Sequence, residues 1–357
     1  MKQDVLDALS GKFPAKIPSK ETLNHPGIIN LVSGLDVFED TPAAFDIAWR
    51  KLGIDVHVPL MKENAARPQV PGGTWQDDGR VYSDYGVYPT SMPIQPPGVH
   101  DTLAEDLVFG YDPQRDDFDL KDAIRCFRAT NMEFRAHFGD LAVMYELYYT
   151  TLFMWPVMTF EWMPFMLAAA SDPVRFDECL WQPWAAISRK HFEVLAAGDE
   201  EVVFCHDDLA MGEGPVFSPA FLEKYIFSRY AWIMEPVFKA GKKLIFVSDG
   251  NIDVLLERLL ELPIAAIMPE SPATPFERIL ETWGKSGRGF IGGISTAVLT
   301  NGTQEEVRRH TRQVIERGRD YPGFIISSCG GLPGTIPLDN LLAYLRTRSE
   351  MGCFAEI

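Results

Sequence analysis

Residues 242–256, KKLIFVSDGNIDVLL, change from the pattern of a strand to that of a helix across one short turn. The apolar run Leu-Ile-Phe-Val has the length and composition of a fully buried strand. Ser248 to Asn251 form a polar break, and helical periodicity follows it. In parallel α/β proteins the polar turn at the carboxyl end of a strand is where the chemistry takes place. The pattern therefore places Ser248, Asp249 and Asn251 at the mouth of a predicted active site.

Strand and helix patterns alternate along the chain from residue 120 onward. Thr41 is the predicted cap of an early helix, with Pro42 in its first position, and Thr274 and Thr303 each begin a sequence with capping-box spacing. The predicted strands cover residues 55–60, 141–145, 202–205, 244–247, 264–268, 290–293 and 324–326. The predicted helices cover residues 4–9, 41–52, 120–138, 151–170, 172–196, 218–241, one that Thr274 opens, 303–318 and 337–350.

This alternation predicts an α/β fold with a parallel sheet and helical crossovers. The 357 residues are enough for a TIM-type (β/α)8 barrel with an irregular N-terminal extension. We expect residues 1–108 to form an arm and barrel cover that includes the first strand, and residues 109–357 to form the rest of a single barrel. An open doubly wound sheet is the alternative, and the lack of a GxGxxG or phosphate-loop motif after any strand disfavours it.

The charge and composition exclude several classes of partner. A net charge of −17 disfavours nucleic acid and anionic membrane surfaces, because both require a basic face. No run of eighteen apolar residues predicts a transmembrane helix, and the first residues do not resemble a signal peptide. The five cysteines, an odd number, favour reduced thiols and a cytoplasmic location.

Polar motifs at the predicted strand ends resemble the uroporphyrinogen decarboxylase superfamily. The motifs are His206-Asp207-Asp208-Leu209, Gly214-Pro215-Val216-Phe217-Ser218-Pro219, Ser248-Asp249-Gly250-Asn251, Cys329-Gly330-Gly331-Leu332-Pro333 and Thr335-Ile336-Pro337-Leu338-Asp339-Asn340-Leu341. Their order and spacing match from about residue 139 to residue 352, whereas the first hundred residues match only loosely. The resemblance implies a β/α barrel with its active site at the carboxyl ends of the strands.

That superfamily has two main branches, one that decarboxylates uroporphyrinogen without a cofactor and one that transfers methyl groups to or from cobalamin. The decarboxylase substrate is a polycarboxylate that needs a dense basic cleft. The family's arginine-rich N-terminal segment corresponds to residues 17–24 here, which contain no arginine. The sequence therefore favours the methyltransferase branch, in which a separate corrinoid protein carries the cobalamin and zinc is bound at the active site.

The resemblance also implies part of a zinc site. The methyltransferase branch usually carries His-x-Cys at the central strand end, where this chain has Val247 and Asp249, whereas Cys329 matches the branch's last cysteine. A catalytic zinc site has three protein ligands and one open position. We therefore predict Asp249 and Cys329 as metal ligands, together with one or two of His206 and Glu270, while Asp207 and Glu146 at neighbouring strand ends are further possible ligands.

Other residues are predicted on weaker grounds, and each also has a structural explanation. Asp207 joins Asp249 and His206 as a predicted catalytic residue, although Asp207 and its neighbour Asp208 can equally cap a loop. Glu146, at a predicted strand end, and Trp155 join Asn251 as predicted substrate-binding residues. Trp155 belongs to an aromatic segment, 153–165, whose composition is more typical of a core than of a pocket.

The resemblance to the methyltransferase branch implies a corrinoid-dependent methyltransferase with a metal as Lewis acid. It would move a methyl group between a small substrate and cobalamin on a partner protein. A methoxylated aromatic that undergoes O-demethylation is the predicted substrate. Two alternatives remain: a metal-free tetrapyrrole decarboxylase, and a non-enzymatic module that binds a corrinoid protein.

Overall fold

The computed structural model describes residues 2–57, 74–75, 81–82, 108–138, 142–143, 145–270 and 272–352. Its strands are β1 (Val56–His57), β2 (Thr74–Trp75), β3 (Val81–Tyr82), β4 (Ala142–Val143), β5 (Tyr145–Tyr148), β6 (Val202–His206), β7 (Ala210–Met211), β8 (Gly214–Pro215), β9 (Lys243–Ser248), β10 (Ala266–Pro269), β11 (Gly289–Ser295) and β12 (Phe324–Cys329).

The helices of the described residues follow the strands in regular alternation after β5. They are α1 (Lys2–Ala8), α2 (Pro26–Ser33), α3 (Thr41–Leu52), α4 (Leu120–Phe138), α5 (Trp155–Phe160), α6 (Trp162–Ser171), α7 (Pro173–Phe176), α8 (Gln182–Ala197), α9 (Pro219–Leu222), α10 (Ser228–Lys239), α11 (Leu256–Leu260), α12 (Phe276–Ile279), α13 (Thr296–Asn301), α14 (Gln304–Gly318) and α15 (Leu338–Glu350). Stretches of π-helix at Asp177–Trp181 and Glu223–Phe227 join α7 to α8 and α9 to α10.

The chain divides into two compact units. The terminal unit comprises Met1–Pro96, Gly139–Met144 and Ala266–Ile357, and the central unit comprises Pro97–Phe138 and Tyr145–Ala265. In the central unit β5, β6 and β9 pair in parallel, and β7 pairs with β8 as a short antiparallel hairpin. The predicted domain boundary at residue 108 stays a prediction.

In the terminal unit β10, β11 and β12 pair in parallel, and so do β1 and β4. The N-terminal segment joins this unit through isolated parallel bridges from Ser19 to Ile326 and from Leu23 to Leu332. The short pair β2–β3 is antiparallel. The parallel pairing in both units confirms the predicted α/β class.

Apolar strand residues form the core of each unit. All five residues of β6 are buried, and Phe246 of β9 packs its ring 5.8 Å from that of Tyr230. In the terminal unit the rings of Phe290 and Phe324 stack at 5.3 Å on neighbouring strands. Each large apolar side chain that is fully buried contributes about 1.5–3 kcal/mol relative to an exposed one. This burial holds the carboxyl ends of the strands in fixed positions.

Two predicted helix caps are wrong and one is confirmed. Asp40, not Thr41, is the N-cap of α3, because its carboxylate accepts a 3.2 Å bond from the backbone N–H of Ala43. The N-cap of α12 is Pro275, which has no side-chain acceptor, so the capping box predicted at Thr274 is wrong. Thr303 and Glu306 do form the predicted capping box at the start of α14.

The strand containing residue 146 differs from its prediction. β5 continues to Tyr148, so Glu146 lies within the strand and not at its end. The sequence was misleading because the apolar run stops at Tyr145, whereas the strand continues through Leu147 and Tyr148. The side chain of Glu146 lies outside the described residues.

Among the helices that the structure describes, none has the length and apolar character needed to cross a membrane.

Candidate active site

Polar residues of the central unit meet where β6 and β9 end. The two strands run in parallel with His206 opposite Val247, so the segment after each strand leaves at the same edge. The backbone N–H of Asp207 extends this pairing with a 3.1 Å bond to the carbonyl of Val247. This register brings His206 and Asp207 into one cluster with Asp249, as the sequence predicted.

Asp207 is fully buried and holds a neighbouring turn. Its carboxylate accepts hydrogen bonds from the backbone N–H groups of Leu152 (3.1 Å), Phe153 (2.9 Å) and Met154 (2.6 Å). The hydroxyl of Tyr230 donates a fourth bond, at 2.7 Å. Burial raises the pKa of Asp207 to about 6, although these hydrogen bonds act in the opposite direction. With four donors and no exposed surface, Asp207 fixes the residue 151–154 turn and is not placed to touch a substrate.

Asp208 links three strand ends. Its carboxylate accepts a 2.5 Å bond from the Tyr149 hydroxyl after β5 and a 2.6 Å bond from the backbone N–H of Asp249 after β9. The ring nitrogen Nε2 of His206, at the end of β6, lies 3.0 Å from Asp208 Oδ1. Burial acts to raise the pKa of Asp208, but the bonds from His206, Tyr149 and Asp249 outweigh it and lower the pKa below its ordinary value. Asp208 is therefore ionised at neutral pH.

His206 is almost fully buried, and its ring faces an aromatic neighbour. Only 3% of the residue is exposed, and its ring centroid lies 4.8 Å from that of Tyr149. Because Asp208 is ionised and can only accept, Nε2 of His206 carries a hydrogen and donates a hydrogen bond to the carboxylate. A nitrogen used in this way is not available to a metal, so any ligation by His206 requires Nδ1.

Asp249 is the exposed carboxylate of this cluster. Its Oδ1 accepts a 2.7 Å bond from the N–H of Gly250 within the turn. Gly250 has φ +78°, and a Cβ at this position would lie 2.4 Å from the carbonyl oxygen of Ala210. Only glycine satisfies both conditions, so the close approach of the β7–β8 hairpin fixes the turn that presents Asp249.

The predicted substrate-binding residues have structural partners. The side-chain Oδ1 of Asn251 accepts a 3.1 Å bond from the backbone N–H of Asp253. The backbone N–H of Asn251 donates a 2.7 Å bond to the carbonyl of Met211. Trp155 is 4% exposed and stacks on Trp184 with ring centroids 4.2 Å apart. These contacts give Trp155 a core environment, as the composition of its segment suggested. A substrate role for either residue stays a prediction.

The remaining predicted residues belong to the terminal unit. Cys329 ends β12 and is 8% exposed, and Glu270 follows β10. Cys329 also lines a cavity of about 340 Å³ between the β10–β11–β12 sheet and the helices α12 and α14. The hydroxyl of Thr296 donates to the backbone carbonyl of Cys329 and holds the end of the strand.

The donor groups do not form a ready metal site. Within the residues that the structure describes, no three His, Cys, Asp or Glu side chains are grouped so that they could hold a metal ion. Nε2 of His206 is engaged by Asp208, and the carboxylate of Asp207 is saturated. The side chains as they stand do not fit the predicted zinc, so no step of the chemistry is assigned to it, and the zinc ligands stay a prediction.

Part of the chain is similar to a known protein family. Residues 188–351 match the family model of uroporphyrinogen decarboxylase (URO-D), a stretch that contains the strand ends at 206–208, 249, 270 and 329. This similarity to the uroporphyrinogen decarboxylase family covers a little less than half of the chain. No curated protein matches the chain.

The fold of the chain is similar to that of a solved structure. A methyltransferase from Methanosarcina mazei has a TM-score of 0.62 and 14% identity, with 98% of each chain covered. The full-length likeness confirms the predicted fold class, a TIM-type β/α fold. A 3-keto-D-glucoside 4-epimerase from E. coli matches with a TM-score of 0.39 and 10% identity, over 71% of this chain and 97% of that chain, which is too distant to support an argument.

Proposed function

We propose that this chain is a methyltransferase that moves a methyl group between a small substrate and cobalamin carried by a separate corrinoid protein. The observation that carries the proposal is the acidic character of the strand-end cluster. The ionised Asp208 and the exposed Asp249 lie together there, and a polycarboxylate substrate would be repelled by them. A neutral methyl donor meets no such repulsion.

The N-terminal segment supports the same choice. Where the decarboxylase branch has an arginine-rich segment, this chain places Glu21 with no exposed surface. Its carboxylate binds Arg348, which is also fully buried, so this arginine is not presented to a substrate. The fold shared with the M. mazei methyltransferase supports the methyltransferase branch.

In the demethylation direction, the partner protein and this chain contribute different groups to the reaction. The corrinoid of the partner supplies the acceptor for the methyl group. The C–O bond of a methoxylated aromatic breaks, and the leaving oxygen takes up a proton. Asp249 is the exposed acid–base group in the cluster, and in its acid form it donates this proton to the leaving oxygen. Asp208 holds the backbone of Asp249 and the ring of His206, so the position of Asp249 is fixed before the substrate binds.

Zinc held by Asp249, Cys329, Glu270 and His206 remains a proposal from the family resemblance, although these side chains are not grouped as a metal site within the described residues. Elemental analysis of the purified protein tests it, since a structural or catalytic zinc should be retained at about one ion per chain. A cytoplasmic location is likewise proposed, from the reduced cysteines.

A methyl-transfer assay tests the function. The purified chain is mixed with a corrinoid protein whose cobalt is reduced, and with methoxyarenes, methylamines, methanol or methylated thiols in turn. Cobalt methylation is followed by its absorbance. We expect one class of donor, the methoxyarenes, to be consumed. Asp249→Asn should lower the rate by about 10²-fold or more, because it removes the acid–base group.

The matched control is Glu257→Gln, which removes an exposed carboxylate in the same strand–helix segment and should leave the rate unchanged. Decarboxylation of uroporphyrinogen by the chain, without cobalt methylation, would support the decarboxylase alternative. Binding of the corrinoid protein without turnover of any donor would support the non-enzymatic alternative.

A further inference from the structure

The cavity of the terminal unit is large enough to be a ligand site. Its volume of about 340 Å³ lies within the range of small-molecule sites, whereas close-packed interiors leave few voids larger than a water molecule. Phe290, which lines the cavity, is 1% exposed, and Gln313, which also lines it, is exposed. The cavity therefore reaches from the core of the unit to solvent.

Two consecutive glycines in β11 keep the space next to Cys329 open. Gly292 and Gly293 have φ values of +143° and +100°, which side-chain-bearing residues rarely adopt. A Cβ at Gly292 would lie 3.7 Å from Cys329 Sγ, and one at Gly293 would lie 2.6 Å from Val314 Cγ1. Any side chain longer than a methyl group at Gly292 would extend into the space beside the thiol.

The charges on the cavity wall are compensated. The charged lining residues Glu277 and Arg317 form an ion pair with each other. His310 also lines the cavity, and its Nε2 accepts a 3.0 Å bond from the N–H of Ser295. Burial lowers the pKa of His310, so the ring is neutral at pH 7. A charged ligand would therefore have to leave its hydration shell without gaining a counter-charge.

The shape and chemistry of the wall favour a ring. The Phe276 and Phe290 rings lie 6.1 Å apart at an angle of 59°, and Pro272 and Pro275 add rigid apolar surface. Aromatic rings pack well against such tilted faces. Gln313 on α14 and the thiol of Cys329 on β12 provide hydrogen-bonding groups in the cavity lining.

We propose that this cavity binds a neutral molecule with one aromatic ring and one polar substituent, and that the molecule lies beside the thiol of Cys329. This binding site belongs to the terminal unit alone and is additional to the strand-end cluster of the proposed function. The binding itself requires neither the corrinoid protein nor turnover, so the two can be tested separately.

A pair of probes with the same ring tests the proposal. 4-Methoxybenzyl alcohol is neutral, and 4-methoxybenzoate carries a charge at pH 7. Calorimetric titration of the full chain should give a dissociation constant for the alcohol at least about tenfold lower than for the benzoate. The alcohol should also slow the alkylation of Cys329 by iodoacetamide, followed by peptide mass spectrometry, while the exposed Cys126 reacts at an unchanged rate.

Two variants of α14 locate the binding. Gln313→Trp places a large side chain on the cavity wall and should weaken binding of the alcohol by at least about tenfold. Glu316→Trp makes the same change at an exposed position of α14 that does not line the cavity, and it should bind the alcohol as the unmodified chain does. Equal effects of the two variants, equal affinity for the two probes, or no calorimetric binding would each overturn the proposal. Methyl transfer by a chain that fails these tests would leave the proposed function intact.

Discussion

Ser328 donates both its backbone N–H, at 3.1 Å, and its hydroxyl, at 2.5 Å, to one carboxylate oxygen of Glu21. The other oxygen accepts from the Tyr344 hydroxyl and from Arg348, 3.3 Å away. The side chains of Glu21, Tyr344 and Arg348 have no exposed surface. This buried network joins the N-terminal segment to the end of β12, immediately before Cys329.

Removal of Glu21 should therefore be costly. Glu21→Ala leaves Arg348 buried without its carboxylate, and such a change costs about 3–5 kcal/mol of unfolding free energy. Urea unfolding of the purified variant measures the cost. The control is Lys239→Gln, which removes an ion pair whose lysine is 72% exposed and should cost less than about 1 kcal/mol. Similar values for the two variants would show that the buried pair does not stabilise this unit.

Asp207 should make the protein more stable as the pH falls. Its pKa is about 6 in the folded chain against an ordinary 3.8, so between these values the folded state binds a proton that the unfolded state does not. The unfolding free energy then decreases as the pH rises through this window, by about 3 kcal/mol in total for this residue. The stability of the unmodified chain relative to Asp207→Asn should grow when the pH is lowered from 7 to 4. A constant difference would contradict the prediction.

Asp208, the next residue, should show the opposite dependence. Its pKa is lowered in the folded chain, so its contribution is complete above about pH 4 and is lost as the pH falls through the lowered folded value. Asp208→Asn should cost about 2–3 kcal/mol at pH 7, since it weakens hydrogen bonds to a charged acceptor. Unfolding measured at pH 7 and below pH 4 checks both points, and the cost should shrink only in the acidic range.

The sequence predicted the parts of this molecule that depend on local pattern. The buried strand before Asp249, the alternation of strands and helices, and the Thr303 capping box all follow from spacing within a few residues. Asp40 as a cap also has a local signal, but Thr41-Pro42 gave a competing one. By contrast, Glu21 and Arg348 are 327 residues apart in the chain, and no local pattern records such a pair.

Local sequence pattern also predicted only part of the candidate active site. Position at a strand end grouped His206, Asp207 and Asp249 correctly, because parallel strands end at a common edge. It did not distinguish Asp207, which holds a turn, from Asp208, which joins the three strand ends. Which of two adjacent carboxylates faces which donors depends on the pleat and on the tertiary partners Tyr149 and Tyr230. The acidic Asp-Asp pair after a buried strand was the only signal for Asp208.

Gly250 gives the sharpest test of how Asp249 is positioned. Gly250→Ala introduces a Cβ that would meet the backbone of Ala210 at 2.4 Å, and φ at this position is +78°. The turn must move, so we expect a loss of about 2–3 kcal/mol in unfolding free energy and a fall in methyl-transfer rate comparable to that of Asp249→Asn.

Gly241→Ala separates backbone strain from displacement of the site. Gly241 also has a positive φ, +72°, but a Cβ there would have no atom within 4 Å. This variant should lose only about 1 kcal/mol and keep the full rate. If Gly250→Ala retained the rate while losing stability, the close approach of the hairpin would support the fold alone, and Asp249 would not depend on it for its position.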